Sequence, residues 1–390
     1  MRSWVWFSTH RSPLASNLLS EEGRAVRILH VDTAPTWRGG EAQVLGLAQG
    51  LALRGHEVWV VGQPNSPLVA RVREAGVSAR SVHMRGEWDL FGALRLAKVM
   101  RRFNPDILHT HTSHAHTLGL LAWYLSGCKA KLVVSRRVDF AISMHGLGWI
   151  KYGPSVGRFI AVSEGVRRVL IQGGVPESRT AVVRSGIDLM KFDDLKDAEA
   201  PYQEFGIQRD ALLVGNVAAL APHKDQACLL DAARKVIDVF PRARFLVVGE
   251  GPLHEMLLDH RARLGLEREV IFTGFRKDIG AILGMLNVFV LSSYLEGLGT
   301  SVLDAMLMGL PVVGTTVGGI PEAVRDGENG FLVPPRNPKA LSEAICRLLK
   351  DRSLRERFGR AGRIAVRRFD IRETVRQTTA IYADLLGGSG

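Results

Sequence analysis

Two doubly wound α/β domains in tandem, each a parallel sheet covered by helices, are what this sequence predicts. Short apolar runs alternate with longer amphipathic stretches from Val26 onward, the pattern of successive βαβ units. The alternation lapses once, at the polar stretch DDLKDAEAPYQEFG that begins at Asp193, and then restarts. The chain has 390 residues, a length that suits two cores better than one.

The elements follow in order. Residues 1–24 carry no acid before Glu21, and their apolar piece, Trp4–Phe7, is too short for a signal-peptide core. They read as a disordered extension. The first domain, residues 25–195, opens with the strand VRILHVD at Val26, then a glycine loop (Trp37–Gly40) and a helix from Glu41 to Arg54. Gly55 ends that helix and HEVWVVG forms the next strand, so the pairing is parallel. A helix over Leu90–Phe103, a strand over Asp106–His111 and a helix over His114–Leu125 follow, then strands at Lys131–Ser135 and Arg158–Ser163. The second domain, residues 196–368, has a strand at Leu212–Ala218 and a helix over Asp225–Val239. Its further strands are Arg244–Gly249, Val270–Gly274, Asn287–Leu291 and Pro311–Thr315. The last segment, residues 369–390, holds an amphipathic helix, Ile371–Leu386, whose pattern suits packing on either domain. Ligands of such sheets bind beyond the carboxyl ends of the strands, which places the site in the cleft between domains.

Composition narrows the classes. Hydrophobic residues make up 46% of the chain, yet no apolar run nears the roughly 18 residues of a membrane span. Cys128, Cys228 and Cys346 are far apart, which fits a reducing cytosol and no disulfide framework. The net charge of +12 suits an anionic partner. Neither an aromatic stacking pattern nor a basic recognition helix favours nucleic acid.

Chemistry concentrates in EGLGTSVLD, Glu296–Asp304. An apolar strand precedes it and a helix starts within it, so free backbone N–H groups and the helix dipole make an anion site. Glu296 just before that site and Asp304 one turn beyond it can accept hydrogen bonds from sugar hydroxyls on either side of a phosphate. A sugar nucleotide has that layout. The competing reading is an ordinary strand-to-helix turn with two surface acids. Lys224, in APHKDQ after the second domain's first strand, can reach a diphosphate and stabilise its charge as it leaves. Gly39 and Gly40 occupy the matching loop of the first domain and offer N–H groups to a phosphate or an acceptor.

His109, His111, His114 and His116 are clustered, with His109 and His111 on one strand face. Acidic ligands and a second cluster are missing, so the reading is one histidine reaching a sugar hydroxyl and no metal site. Arg136 and Arg137 follow a strand and point toward the cleft on the acceptor side. Arg95, Lys98 and Arg102 share a helix face, with Leu94, Ala97 and Met100 read as its apolar counterpart. That helix suits either docking on anionic lipid headgroups or a plain solvated face.

With these residues in view, the chain resembles the GT-B-fold glycosyltransferases of family 4, a retaining group. The resemblance spans about Val26 to Leu386. It is carried by WRGGEAQ, DILHTHTSHAH, AVSEGVRRVL and VVRSGIDLMKF, then by HKDQACLLDAA, VVGEGP, FTGFRKDI, EGLGTSVLDAM, GLPVVGTTVGGIPE and NGFLVPP. It implies two Rossmann-like domains facing across a cleft, the acceptor on the first and the donor nucleotide on the second, with the final helix crossing back to the first. Glu296 matches the family's glutamate on the transferred sugar, and Asp304 the carboxylate on the ribose. The backbone of Gly297, Leu298, Gly299 and Thr300 would meet the sugar and diphosphate. Lys224 matches the diphosphate lysine, His111 the cleft histidine near the donor sugar, and Phe275 and Arg276 border the base.

The implied activity is transfer, with retention, from a UDP-, GDP- or ADP-sugar to a cell-envelope glycolipid or polysaccharide, lipopolysaccharide included. No cofactor or metal is implied, since the D-x-D motif of metal-dependent transferases is missing. The implied location is cytoplasmic, peripheral at the inner face of the plasma membrane. Two departures stand out. Asp304 replaces the usual glutamate, and Ala218 and Ala219 stand where many relatives carry an arginine. The lost charge would fall to Arg136, Arg276 or the helix dipole. The same departures motivate a second reading, a weakly active or inactive nucleotide-sugar-binding subunit that scaffolds an envelope complex.

Overall fold

The computed structural model describes residues 25–138, 140, 142, 147–193 and 199–387. The expected extension, residues 1–24, lies outside the described residues, as do residues 194–198 of the polar stretch.

Two all-parallel sheets form the framework. The first has seven strands: β1 (Arg27–Val31), β2 (Glu57–Gly62), β3 (Ser78–Ser81), β4 (Ile107–Thr110), β5 (Lys131–Arg136), β6 (Val156–Ala161) and β7 (Thr180–Val182), in the order β3-β2-β1-β4-β5-β6-β7. The second has six: β8 (Leu212–Val217), β9 (Ala243–Val248), β10 (Val270–Gly274), β11 (Val288–Leu291), β12 (Val312–Thr315) and β13 (Gly330–Val333), in the order β10-β9-β8-β11-β12-β13. Central strands are buried on both faces, and mostly apolar, because helices cover both. Ile28 and Leu29 of β1 are fully buried on opposite sides, as are Val288 and Phe289 of β11.

The sequence missed β3, β7 and β13. β3 reads SARS and β7 has three residues; both are sheet edges, where one unpaired flank faces solvent and an apolar run is not required. The first domain's opening helix is Gly39–Leu53, so Gly39 and Gly40 form its first turn rather than a loop before it. Polar residues near 200 form a short helix, Glu199–Glu204.

Strand order reverses at β1/β4 in the first sheet and at β8/β11 in the second. These two switch points face one cleft, lined by Gly39, Arg137 and His111 on one side and Lys224, Glu296 and Thr300 on the other. The last helix, Ile371–Leu385, lies against the first domain. Gly50 admits it: a Cβ there would stand 2.4 Å from Val375 Cγ2. At its end the Tyr382 hydroxyl meets His109 Nδ1 at 2.5 Å, and Arg158 pairs with Asp384 at 2.5 Å.

One surface expectation is corrected. In the helix Leu90–Phe103, Ala97 and Met100 are core residues at 0% exposure, while Leu94 is 44% exposed. Among the described residues, no helix is long and apolar enough to cross a membrane.

Candidate active site

Lys224, Glu296 and Thr300 converge on the β8/β11 switch point. After β8 the chain makes a one-turn 3-10 helix, Pro222–Lys224, and Asp225 in the left-handed region (φ 51°) starts the next helix. After β11 it runs through Ser292 and Ser293 to Glu296. Ser292 Oγ donates to the Lys224 carbonyl at 3.0 Å and Tyr294 N to the His223 carbonyl at 2.9 Å, so the two loops are tied together. That bracing brings Lys224 Nζ onto Glu296 Oε2, which also accepts from Ser293 Oγ at 3.1 Å. The sequence separates this lysine and glutamate by 72 residues.

Gly299 (φ 79°) turns the chain into the helix Thr300–Leu307, and no side chain caps that helix. Its amide end is therefore open to an anion in the cleft. The first turn of Gly39–Leu53 approaches it from the other domain: a Cβ on Gly39 would stand 2.5 Å from Thr300 Oγ1. Two positive helix ends thus face each other across the site. The approach is as close at Gly297, where a Cβ would stand 2.0 Å from the Arg137 carbonyl oxygen. Leu298 is buried in the second core, so only its backbone serves the cleft.

Asp304, one turn along, is held by Lys191 Nζ at 2.7 Å, and its other oxygen is buried without a partner. Lys191 follows the first sheet, 113 residues away in sequence, and sequence reasoning missed it. Phe275 is 45% exposed beyond β10, its amide donating to Glu250 Oε1 at 3.3 Å. Arg276 beside it is committed elsewhere, with bonds to Glu204 at 2.5 and 2.8 Å and to Asp278 at 2.8 Å. Those carboxylates raise its pKa further. The Arg136 guanidinium donates to the Phe140 carbonyl at 2.8 Å. Both guanidinium groups are thus engaged by neighbours; the cation beside Asp304 is Lys191, as Lys224 is the one beside Glu296.

On the facing side, Arg137 is half-buried, with the carboxylates of Asp32 and Glu41 as its counter-charges. Burial raises both carboxyl pKa values, and the guanidinium opposes the rise. His111 lines the cleft, but both ring nitrogens are engaged: Nδ1 by Arg137 at 3.2 Å and Nε2 by His30 Nδ1 at 2.9 Å. His109 is likewise engaged, by Tyr382 at 2.5 Å and Ser135 Oγ at 2.8 Å. His111 as it stands orients rather than reaches. His30 was overlooked, although it is the register partner of His109 on the adjacent strand. One ring nitrogen from each of His30, His109 and His111 lies within 4.8 Å of the other two. The guanidinium bonded to His111 Nδ1, and the engagement of both ring nitrogens of His109 and of His111, do not fit a resident cation; His30 Nε2 is buried without a partner.

The cleft measures about 2560 Å³, well above the several hundred Å³ of an ordinary small-ligand pocket. It has room for two substrates side by side.

Known proteins resemble this chain in sequence and fold. The family described as Glycosyltransferase Family 4 matches residues 37–191, and the one described as Glycosyl transferases group 1 matches residues 198–365. The D-inositol 3-phosphate glycosyltransferase of Streptomyces bingchenggensis (strain BCW-1) is 31% identical over 318 residues, 73% of this chain and 67% of that protein. The phosphatidyl-myo-inositol mannosyltransferase of Mycobacterium tuberculosis (strain ATCC 25618 / H37Rv) is 29% identical over 372 residues, 90% of this chain and 94% of that protein. Anabaena Alr3699/HepE in complex with UDP and glucose superposes with a TM-score of 0.81 at 23% identity, over 92% of this chain and 100% of that one. The two matched families, on a fold of two facing Rossmann-like domains, establish that the chain belongs to glycosyltransferase family 4 and has the GT-B fold.

Proposed function

We propose that this glycosyltransferase moves a sugar, with retention at its anomeric carbon, from a nucleoside-diphosphate sugar to a cell-envelope acceptor that is lipid-linked or otherwise phosphorylated. The observation that carries the donor half is the meeting of Lys224, Glu296 and the uncapped helix end at Thr300 on one switch point. The acceptor half draws on the net charge of +12 and on the two phosphoinositol-type acceptors in the relatives' names.

The diphosphate lies between the helix ends at Thr300 and Gly39–Gly40, with Lys224 on its leaving oxygen. Glu296 takes hydroxyls of the transferred sugar, Asp304 those of the ribose, and Phe275 borders the base. The bond from the anomeric carbon to the phosphate oxygen breaks and the bond to the acceptor oxygen forms on the same face. The acceptor proton passes to the departing phosphate. Arg137 and His111 form the floor beneath the sugar, and acceptor groups enter past Arg136.

Lys191 supplies the second donor-site cation. It holds Asp304 at 2.7 Å and turns to the phosphate when the ribose takes that carboxylate. Calorimetric titration with a panel of UDP-, GDP- and ADP-sugars tests the assignment. One donor is expected to bind, and Lys191→Met to weaken it about tenfold, the scale of one charge-assisted hydrogen bond. Failure of every donor would remove the proposal; unchanged affinity in Lys191→Met would remove only the role of Lys191.

Domain approach is tested separately. Gly297→Ala places a methyl against the Arg137 backbone, which cannot rotate away. Turnover is expected to fall about a hundredfold, the cost of roughly 1 Å of misplacement, with donor affinity nearly unchanged. Steady-state kinetics with the identified donor would show a lowered kcat; a kcat within threefold of the parent would mean the gap is not needed for catalysis.

A further inference from the structure

The stretch Arg85–Arg102 has a surface that its own core does not explain. Trp88, Leu90, Phe91 and Leu94 are 66, 52, 71 and 44% exposed. The helix Leu90–Phe103 already buries a separate stripe, Ala93, Leu96, Ala97, Met100 and Phe103, so these four apolar side chains are surplus to packing. A second exposed pair, Trp149 (61%) and Ile150 (48%), lies on the short helix Leu147–Lys151. Lys151 brings the two together: its ammonium bonds Glu87, next to Trp88, and also Ser113 Oγ at 2.9 Å. Ser113 and Tyr152 line the cleft, so the patch borders the cleft mouth.

The charge around the patch has one sign. Arg85, Arg95, Lys98 and Arg102 are exposed along the same face. The two acids in the stretch are internally engaged, Glu87 with Lys151 and Thr117, and Asp89 as the helix cap on Gly92 N at 2.9 Å. Among the described residues, Arg95, Lys98 and Arg102 form no salt bridge. Aromatic rings with a polar edge, flanked by uncompensated cations, match the headgroup layer of an anionic bilayer, where tryptophan and basic side chains both gain.

We propose that this surface docks the protein on an anionic lipid bilayer. Trp88, Phe91 and Trp149 sit among the headgroups, Arg95, Lys98 and Arg102 lie over the phosphates, and the cleft mouth turns toward the lipid. The purpose of docking rests on the lipid-linked acceptor proposed above; the docking itself is measured without donor or acceptor, so the two ideas fail separately.

Flotation of the full chain with vesicles of phosphatidylcholine alone, or mixed with phosphatidylglycerol, tests it. The parent is expected to float with the anionic vesicles and not with the neutral ones. Trp88→Ser/Phe91→Ser should lower partitioning at least tenfold by removing apolar insertion. Arg95→Gln/Lys98→Gln/Arg102→Gln should lower it at least tenfold by removing headgroup attraction. Both variants change exposed side chains, and an unaltered thermal midpoint confirms their fold. A parent that stays at the bottom of the gradient, equal flotation of parent and both variants, or a lipid-free dimer that Trp88→Ser/Phe91→Ser splits would each overturn the proposal.

Discussion

Lys224→Met is expected to lower turnover by about 10²–10³-fold while leaving the fold intact. As the bond to the anomeric carbon breaks, negative charge grows on the departing diphosphate. A preorganised donor in a cleft is worth more against that growing charge than against the bound substrate. Lys224 is preorganised: its loop is anchored by Ser292 and Tyr294, and its ammonium is already aimed by Glu296. Methionine keeps the length and removes the charge. The loss should fall on kcat more than on donor affinity, because ground-state phosphate contacts with the two helix ends remain. Initial rates over a donor series, beside calorimetric affinities, separate these. A rate within fivefold of the parent would show that the helix ends alone suffice and that Lys224 is a structural partner of Glu296.

The second large effect is acid unfolding above the usual carboxylate range. His30, His109, His111 and His116 are buried, and burial lowers all four pKa values, to about 3 for His30 and His116. Arg137 lowers the first three further and Lys151 the fourth. The unfolded chain titrates these groups near 6.5, so between that pH and the folded pKa the unfolded state binds more protons. Stability from this source is complete above about pH 7 and is lost as pH falls. Each group contributes at most about 1.4 kcal/mol per pH unit, and four together about 5 kcal/mol per unit. Asp32 and Glu41, whose pKa values burial raises, act in the opposite sense at lower pH and soften the fall. Against a total of about 5–15 kcal/mol, the protein should unfold between roughly pH 6 and 4.5. Urea midpoints from pH 8 to 5 would show it. A flat profile to pH 5 would mean the folded state accepts these protons.

What the sequence revealed, it revealed locally. The turn Glu296–Asp304 was legible as a strand-to-helix turn because strand, glycines, carboxylates and helix start fall within a few residues of one another. The sheets were legible at their centres, where β1, β4 and β11 are buried on both faces and mostly apolar. Legibility stopped at the edges, as with SARS of β3, and wherever chemistry joins distant segments. Nothing local marks Lys191 as the partner of Asp304, or Glu204 as the group that holds Arg276. The misplaced face of Leu90–Phe103 has a geometric cause: Leu94 and Lys98 are four residues apart and so share a face, leaving Ala97 and Met100 to the core. His30 carried a usable signal. ILHV and ILHT are matching strands, and parallel neighbours put their histidines side by side.

The contact of Tyr382 with His109 spans 273 residues and lies in the interior of the first domain. The order of synthesis is therefore at odds with the order of assembly. The first sheet leaves the ribosome long before the helix that completes its packing has been translated, and that helix follows the entire second half. The second half can close as soon as it emerges, whereas the first must wait for the last stretch of chain, with Leu47 and Val60 among the residues lacking their final cover. A nascent chain stalled short of Tyr382 would carry a finished second domain beside an unfinished first one. The C-terminal end thus works as the closing stitch of the N-terminal fold.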